Sequence, residues 1–253
     1  MAEGSYGCWR QLRCIWGRAG RTGRAMSACT VLAALSLFSG APAALGARPP
    51  AALGAFRHVA TRPWLDHGKP VVLYVGAQYC PFCAAERWAL VLALSRFGEW
   101  SGLRPMHSTV GVGGFPGIAT YNWLHATYRS AIIALQTREV ADFSGHPLQA
   151  LTGEQTRAVN AYDPRGGIPF VLIAGRYAQI SSGYSPSFLV DLSFARIHTL
   201  VYARPTSRVG RAVTGEANIV SALICAGLGP RARATAACRL PQVHALLSKL
   251  QGL

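Results

Sequence analysis

The stretch Gly68-Lys-Pro-Val-Val-Leu-Tyr-Val-Gly-Ala-Gln-Tyr-Cys80-Pro-Phe-Cys83-Ala-Ala-Glu-Arg87 decides how this chain reads. Val71 to Val75 is a short apolar run rich in β-branched residues, with Pro70 before it and Gly76 after it. Such a run suits a strand covered on both faces. From Glu86 to Phe97 the sequence is too long and too rich in Ala and Leu for a strand, and it predicts a helix that Gly98 ends. Pro81 falls near the first turn, where a missing N–H costs nothing. Cys80 is thereby expected at the helix N-terminus.

That position has a chemical consequence. Free N–H groups and the dipole at a helix N-terminus favour a thiolate, lowering a thiol pKa from roughly 8.5 into the range ~3.5–7.5. Cys80 is the expected attacking and solvent-facing sulfur. Cys83, one turn on, is the expected resolving thiol. A C-x-x-C on a strand-to-helix turn is a strong redox signal, and in a loop a weak one. The competing readings are a static disulfide and half of a zinc site.

Tyr79-Cys80-Pro81-Phe82-Cys83 after a buried strand resembles a thioredoxin-fold active site. The phrases GKPVVLYVGAQYCPFCAAERWALVLALSRFGEWSGL (68–103), GGIPFVLIAGRY (166–177) and SGYSPSFL (182–189) are similar to a thioredoxin-like family of archaea and actinobacteria, catalogued as domain of unknown function 929. The resemblance runs from about Phe56 to Cys238. It implies an α/β, thioredoxin-like fold with an insert between the second strand and the Pro169 loop, plus a C-terminal helical extension. It also implies that Pro169 is cis and faces the cysteines, with Ile168 offering backbone groups to an extended substrate. Ile168, Pro169 and Tyr79 are then the substrate-positioning residues. A cis X-Pro bond costs only ~0.5–1 kcal/mol; the competing reading of Pro169 is an ordinary strand-initiating proline. Tyr79 stands where simple thioredoxins carry tryptophan, and Pro81-Phe82 is nearer the glutaredoxin Pro-Tyr than the thioredoxin Gly-Pro.

The 253 residues are 51% apolar, enough for one sizeable domain with an extension. The formal charge of +15 comes from 23 arginines and two lysines, scattered with no adjacent pair and no aromatic-interleaved basic patch. No specific nucleic-acid partner is expected from that pattern. Residues 1–24 carry five arginines and one acid, and Ala25 to Ala47 then runs 23 residues without a charge. This is the plan of an export signal, or of a membrane anchor through residues 25–47. Ala41-Pro-Ala43 and Leu45-Gly-Ala47 supply small-residue cleavage sites. Either reading puts the rest of the chain outside the cytoplasm, because the arginines stay inside.

Of seven cysteines, Cys8, Cys14 and Cys29 fall in that first segment. Cys80, Cys83, Cys225 and Cys238 remain, an even number that suits an oxidising compartment. Pairing Cys80 with Cys83 is locally favoured and leaves Cys225 with Cys238 as a structural bridge. A zinc site from all four is the rival, against which the second pair's spacing of twelve residues argues.

The domain plan is residues 1–47 as signal or anchor, 48–63 as linker, 64–203 as the thioredoxin-like domain and 204–253 as the helical extension. Leu103 to Thr109 reads as the second strand and Gly111 to Gly117 as a loop. Thr120 to Val140 is read as strand, from the resemblance. Thr152-Gly-Glu-Gln155 is a capping box opening a helix toward Tyr162. Phe170–Ala174 and Tyr177–Ile180 form a hairpin. Ser185-Pro186 caps a helical stretch to Ala203, broken near Ser193. Gly215–Ala226 and Pro241–Gln251 are the helices of the extension. The 110–165 insert is expected to add strands and to cover the cysteine side.

Glu86 reads as surface charge in preference to a proton acceptor for Cys83. The seven histidines show no metal or catalytic spacing. The expected function is that of an exported or membrane-anchored thiol–disulfide oxidoreductase acting on protein thiols and disulfides with a redox partner. No metal and no organic cofactor are expected. The alternative is a non-catalytic binding module with a static Cys80–Cys83 disulfide.

Overall fold

In the computed structural model, which describes residues 53–251, every residue from Pro70 to Gly76 is buried. The expected signal or anchor over 1–47, with Cys8, Cys14, Cys29 and the cleavage sites, lies outside the described residues, as does the start of the expected linker.

The sheet is built from β1 (Arg57–His58), β2 (Leu65–Asp66) and β3 (Lys69–Gly76). The helix α1 (Pro81–Leu94) follows, and then β4 (Glu99–Ser101), β5 (Arg104–His107), β6 (Ala119–Asn122), β7 (Thr127–Arg129) and β8 (Ala134–Glu139). Next come α2 (Gly153–Tyr162), β9 (Phe170–Ile173) and β10 (Tyr177–Ile180). The chain closes with the short α3 (Phe194–His198), the long α4 (Arg208–Leu228) and α5 (Pro241–Gln251).

β3 is the spine. It pairs antiparallel with β9 and parallel with β8, from Val71 opposite Ala134 to Gly76 opposite Glu139. β10 and then β1 extend the sheet beyond β9, while β2 pairs with the first two residues of β3. The period-2 alternation of β3 divides the core. Val72 and Tyr74 face α1 and α4, and Val71, Leu73 and Val75 face the α2 side. Each such side chain, fully buried, stabilises the fold by about 1.5–3 kcal/mol. The result is a mixed α/β fold with helices on both faces.

Three expectations are corrected. Arg57–His58 is an edge strand paired with Tyr177 and Ala178, inside the stretch expected as linker; Phe56 beside it is buried in the core. The expected second strand does form, as β5, but it pairs only with β6 in a separate ribbon. The parallel partner of β3 is β8, so the added ribbons β4–β7 and β5–β6 lie between α1 and that partner. β4, β5 and β7 are mostly exposed, whereas Ala119, Thr120 and Tyr121 of β6 are buried and β6 packs on α1.

Other local signals fold as chemistry dictates. Thr152 Oγ1 accepts from the Gln155 N–H while Gln155 Oε1 accepts from the Thr152 N–H, a reciprocal cap. Ser185 caps only a single 3-10 turn, Pro186–Phe188, and Ser193 caps α3 separately. α4 opens at Arg208, earlier than expected, because Ser207 caps it. By length and composition, Arg208–Ala234 is apolar enough to cross a membrane, yet more than half of its apolar window is buried within the fold. α4 packs on α1, β3, β9 and α5. Cys225 on α4 is bonded to Cys238, with 5.7 Å between Cα atoms.

Candidate functional site

β3 ends at Gly76, and three residues later the chain turns into α1. Cys80 is the N-cap, in extended conformation, and Pro81 takes the first helical position. The Cys80 N–H donates to the Ala77 carbonyl at 3.3 Å, which fixes the turn. The Cys80 Sγ accepts the Cys83 N–H at 3.2 Å, so the sulfur occupies the place of a capping oxygen.

This geometry separates the two thiols. Cys80 is held below the ordinary thiol range, first by a hydrogen bond from the Cys83 side chain. Backbone N–H groups of Cys83 and Phe82 and the charge of Arg87 add to this, and burial opposes it. Cys83 is pushed well above the ordinary range, first by burial and then by the hydrogen bond to Cys80 and its charge. Both stand as free thiols. Cys80 was expected to face solvent; instead only 4% of it is exposed, against 0% for Cys83. The segment 108–117 packs on the residues either side of Cys80. Its Thr109 N–H donates to the Tyr79 carbonyl at 3.1 Å, Phe115 meets Phe82 edge-on at 5.6 Å between centroids, and Gly113 packs on Pro81 and Phe82.

The Ile168–Pro169 peptide is cis. The Ile168 carbonyl lies 3.8 Å from Cys80 Sγ, at the limit of a thiol hydrogen bond. The Pro169 carbonyl accepts the Ser181 N–H at 2.8 Å, which ties this bend to the end of β10. Cys80, Cys83, Ile168, Pro169 and Tyr79 are thus brought to one place. Cys225 and Cys238 are joined to each other elsewhere, so the four sulfurs do not form one tetrahedral set. Among the described residues no three His, Cys, Asp or Glu side chains converge as metal ligands.

Beneath the cysteines lie charges that the sequence reading missed. Arg87 is completely buried. Its Nη2 donates to Glu139 Oε2 at 2.7 Å and to the Ala77 carbonyl at 3.0 Å, and its Nε donates to Glu139 Oε1 at 3.1 Å. It lies over the Tyr74 ring, 5.8 Å from the centroid. Glu86, expected at the surface, is also completely buried. It points to a different side of α1, where Oε2 accepts the Gly183 N–H at 3.0 Å near the buried Glu216 of α4. Burial and the neighbouring Glu216 push the Glu86 carboxyl well above its ordinary range, and burial pushes Glu216 up to about 7. A signal for both was present. Glu86-Arg87 is the only charged dipeptide in a helix otherwise apolar on every side, and such a helix is buried all round.

No curated protein and no solved structure matches the chain. Residues 55–156, which carry β1 through the start of α2 and both cysteines of the site, match the family described as Domain of unknown function (DUF929).

Proposed function

We propose that this protein is a thiol–disulfide oxidoreductase of thioredoxin-like build, exported or held at the membrane by residues 25–47. The observation that carries the reading is the asymmetry of the two thiols. Cys80 caps α1, accepts the Cys83 N–H and has a depressed pKa, while Cys83 is enclosed with a raised one. A nucleophilic thiolate and a protonated resolving thiol one turn behind it are what disulfide exchange needs.

Cys80 attacks a substrate disulfide and forms a mixed disulfide. Cys83 then attacks Cys80 Sγ and releases the substrate thiol. In the opposite direction, a substrate thiolate attacks the oxidised pair at Cys80. The carbonyl of Ile168 beside Cys80 supports a role in aligning an extended substrate backbone. The β3–α1–β8 unit followed by the β9–β10 hairpin supports the thioredoxin-like build. The Cys225–Cys238 disulfide supports an oxidising compartment. The partners are protein thiols and disulfides and a separate redox partner.

The test is the reduction potential of the full chain in glutathione buffers, with Cys80→Ser as control. A value between ~−120 and ~−270 mV is expected for an exchange catalyst. A value below ~−300 mV, or no exchange, would identify a static disulfide and a binding module in its place.

A further inference from the structure

Cys83 is fully enclosed, yet the proposed resolving step requires it to become an anion. An isolated thiolate in apolar surroundings is costly, so a fixed positive charge or unused donors must be near. α1 supplies the charge. Arg87 is four residues after Cys83, on the same face of the helix. Its guanidinium is anchored on two sides, by Glu139 of β8 and by the Ala77 carbonyl, which also accepts the Cys80 N–H. Glu139 is itself fixed, since its N–H donates to Gln149 Oε1 at 2.8 Å.

Two atoms of this assembly have no partner. Arg87 Nη1 and the Tyr74 hydroxyl are both buried and unpaired. An unmade buried hydrogen bond costs about 1–3 kcal/mol, and such groups are rare in folded proteins. The Tyr74 hydroxyl is directed along β3 over Gly76, where a Cβ would overlap it, so glycine at 76 is what lets the phenol extend toward the cysteine turn. Both groups interact electrostatically with Cys83.

Building on the oxidoreductase reading, we propose that Arg87, clamped by Glu139, is a positioning residue for the dithiol, and that its free Nη1 and the Tyr74 hydroxyl are donors held for the Cys83 thiolate. In the resolving step the Cys83 thiolate attacks Cys80 Sγ. The Cys80–substrate S–S bond breaks and the Cys80–Cys83 bond forms. The electron pair leaves on the substrate sulfur, which takes up a proton equivalent to the one Cys83 released. The dithiol is oxidised; the substrate disulfide is the oxidant, and the substrate thiolate is the leaving group of this step. Arg87 stays charged throughout. The charged and titratable groups around Cys83 are Arg87 on α1, Glu139 on β8, Tyr74 on β3 and Cys80 itself.

The test uses the full chain. Iodoacetamide alkylation of Cys80 is followed against pH, and the equilibrium constant is measured in glutathione buffers. Arg87→Met with Glu139→Gln removes the pair without stranding a buried charge. The alkylation profile is expected to move to higher pH, and the equilibrium to shift about tenfold toward the disulfide, or ~30 mV more negative. Glu139→Gln alone keeps Arg87 and removes only the negative charge, so both readouts are expected to move the opposite way; the amide oxygen and the Ala77 carbonyl still accept from Arg87, and this variant carries the test should the double variant fail to fold. Arg87→Lys is expected to restore most of the double variant's loss. A purely structural clamp predicts no opposite-signed pair of shifts, and folded variants with unchanged profiles and equilibria would overturn the inference while leaving the oxidoreductase reading intact. A wild-type protein that does not exchange with glutathione would overturn both.

Discussion

The described residues contain two pairs of cysteines, all buried, and the pairs differ in bonding and in backbone position. Cys80 and Cys83 are three residues apart on the first turn of α1, unpaired and electrostatically unequal. Cys225 and Cys238 are thirteen residues apart, bonded, and buried between α4 and the segment leading into α5. A helix N-terminus offers N–H groups to one sulfur only, which polarises a pair placed there. A pair in the last turn of one helix and in a following 3-10 turn receives no such help and serves to close the segment between them. Backbone position, more than spacing alone, distinguishes a pair suited to exchange from a clasp.

Removing each pair in turn tests this contrast most severely. Cys80→Ser is expected to abolish exchange with glutathione while the thermal melt stays close to wild type. The double variant Cys225→Ser/Cys238→Ser is expected to do the reverse, keeping exchange and lowering stability by about 3 kcal/mol in urea titrations. If Cys80→Ser instead unfolded the protein, or the second variant lost exchange, the division of labour would be wrong.

The two regions are joined through Glu86 on α1 and Glu216 on α4, which meet at Gly183, and this contact yields two further effects. A Cβ at Gly183 would overlap the Glu216 carboxyl. Gly183→Ala is therefore expected to cost about 2 kcal/mol by overpacking, read as a lower urea midpoint. A tolerated alanine would mean that the loop holding Gly183 yields without disturbing either helix.

The second effect depends on pH. Burial raises the Glu216 carboxyl from an ordinary 4.5 to about 7. Folding favours its protonated form, so its contribution is complete below 4.5 and is lost as pH rises through about 7. Across that window this group makes stability fall by about 1.4 kcal/mol per pH unit. Glu216→Gln stays neutral and is expected to flatten the slope in urea melts, gaining on wild type as pH rises above about 4.5. An unchanged slope would show that the carboxyl does not titrate within the fold.

Much of the local structure was legible beforehand. The buried β3, the turn into α1 with Cys80 at its head, the reciprocal cap at Thr152 and the β9–β10 hairpin all follow from neighbours within a few residues. The pairing of Cys225 with Cys238 followed from counting. Less legible was the order of strands. β5 and β8 are both short and half apolar, and only the company each keeps across the sheet makes β8 central and β5 peripheral.

The sequence by itself determined which thiol caps a helix, because capping is settled by the residues that immediately follow, here Pro81, Phe82 and Cys83. Only the tertiary structure decided what surrounds those thiols. Arg87 meets Glu139 from 52 positions away, Glu86 meets Gly183 from 97 positions away, and Phe115 reaches Phe82 across an added ribbon. A buried charge takes its pKa and its use from the partner that desolvation forces upon it. That partner is chosen by the packing of helices and strands distant in the chain, and no local window contains it.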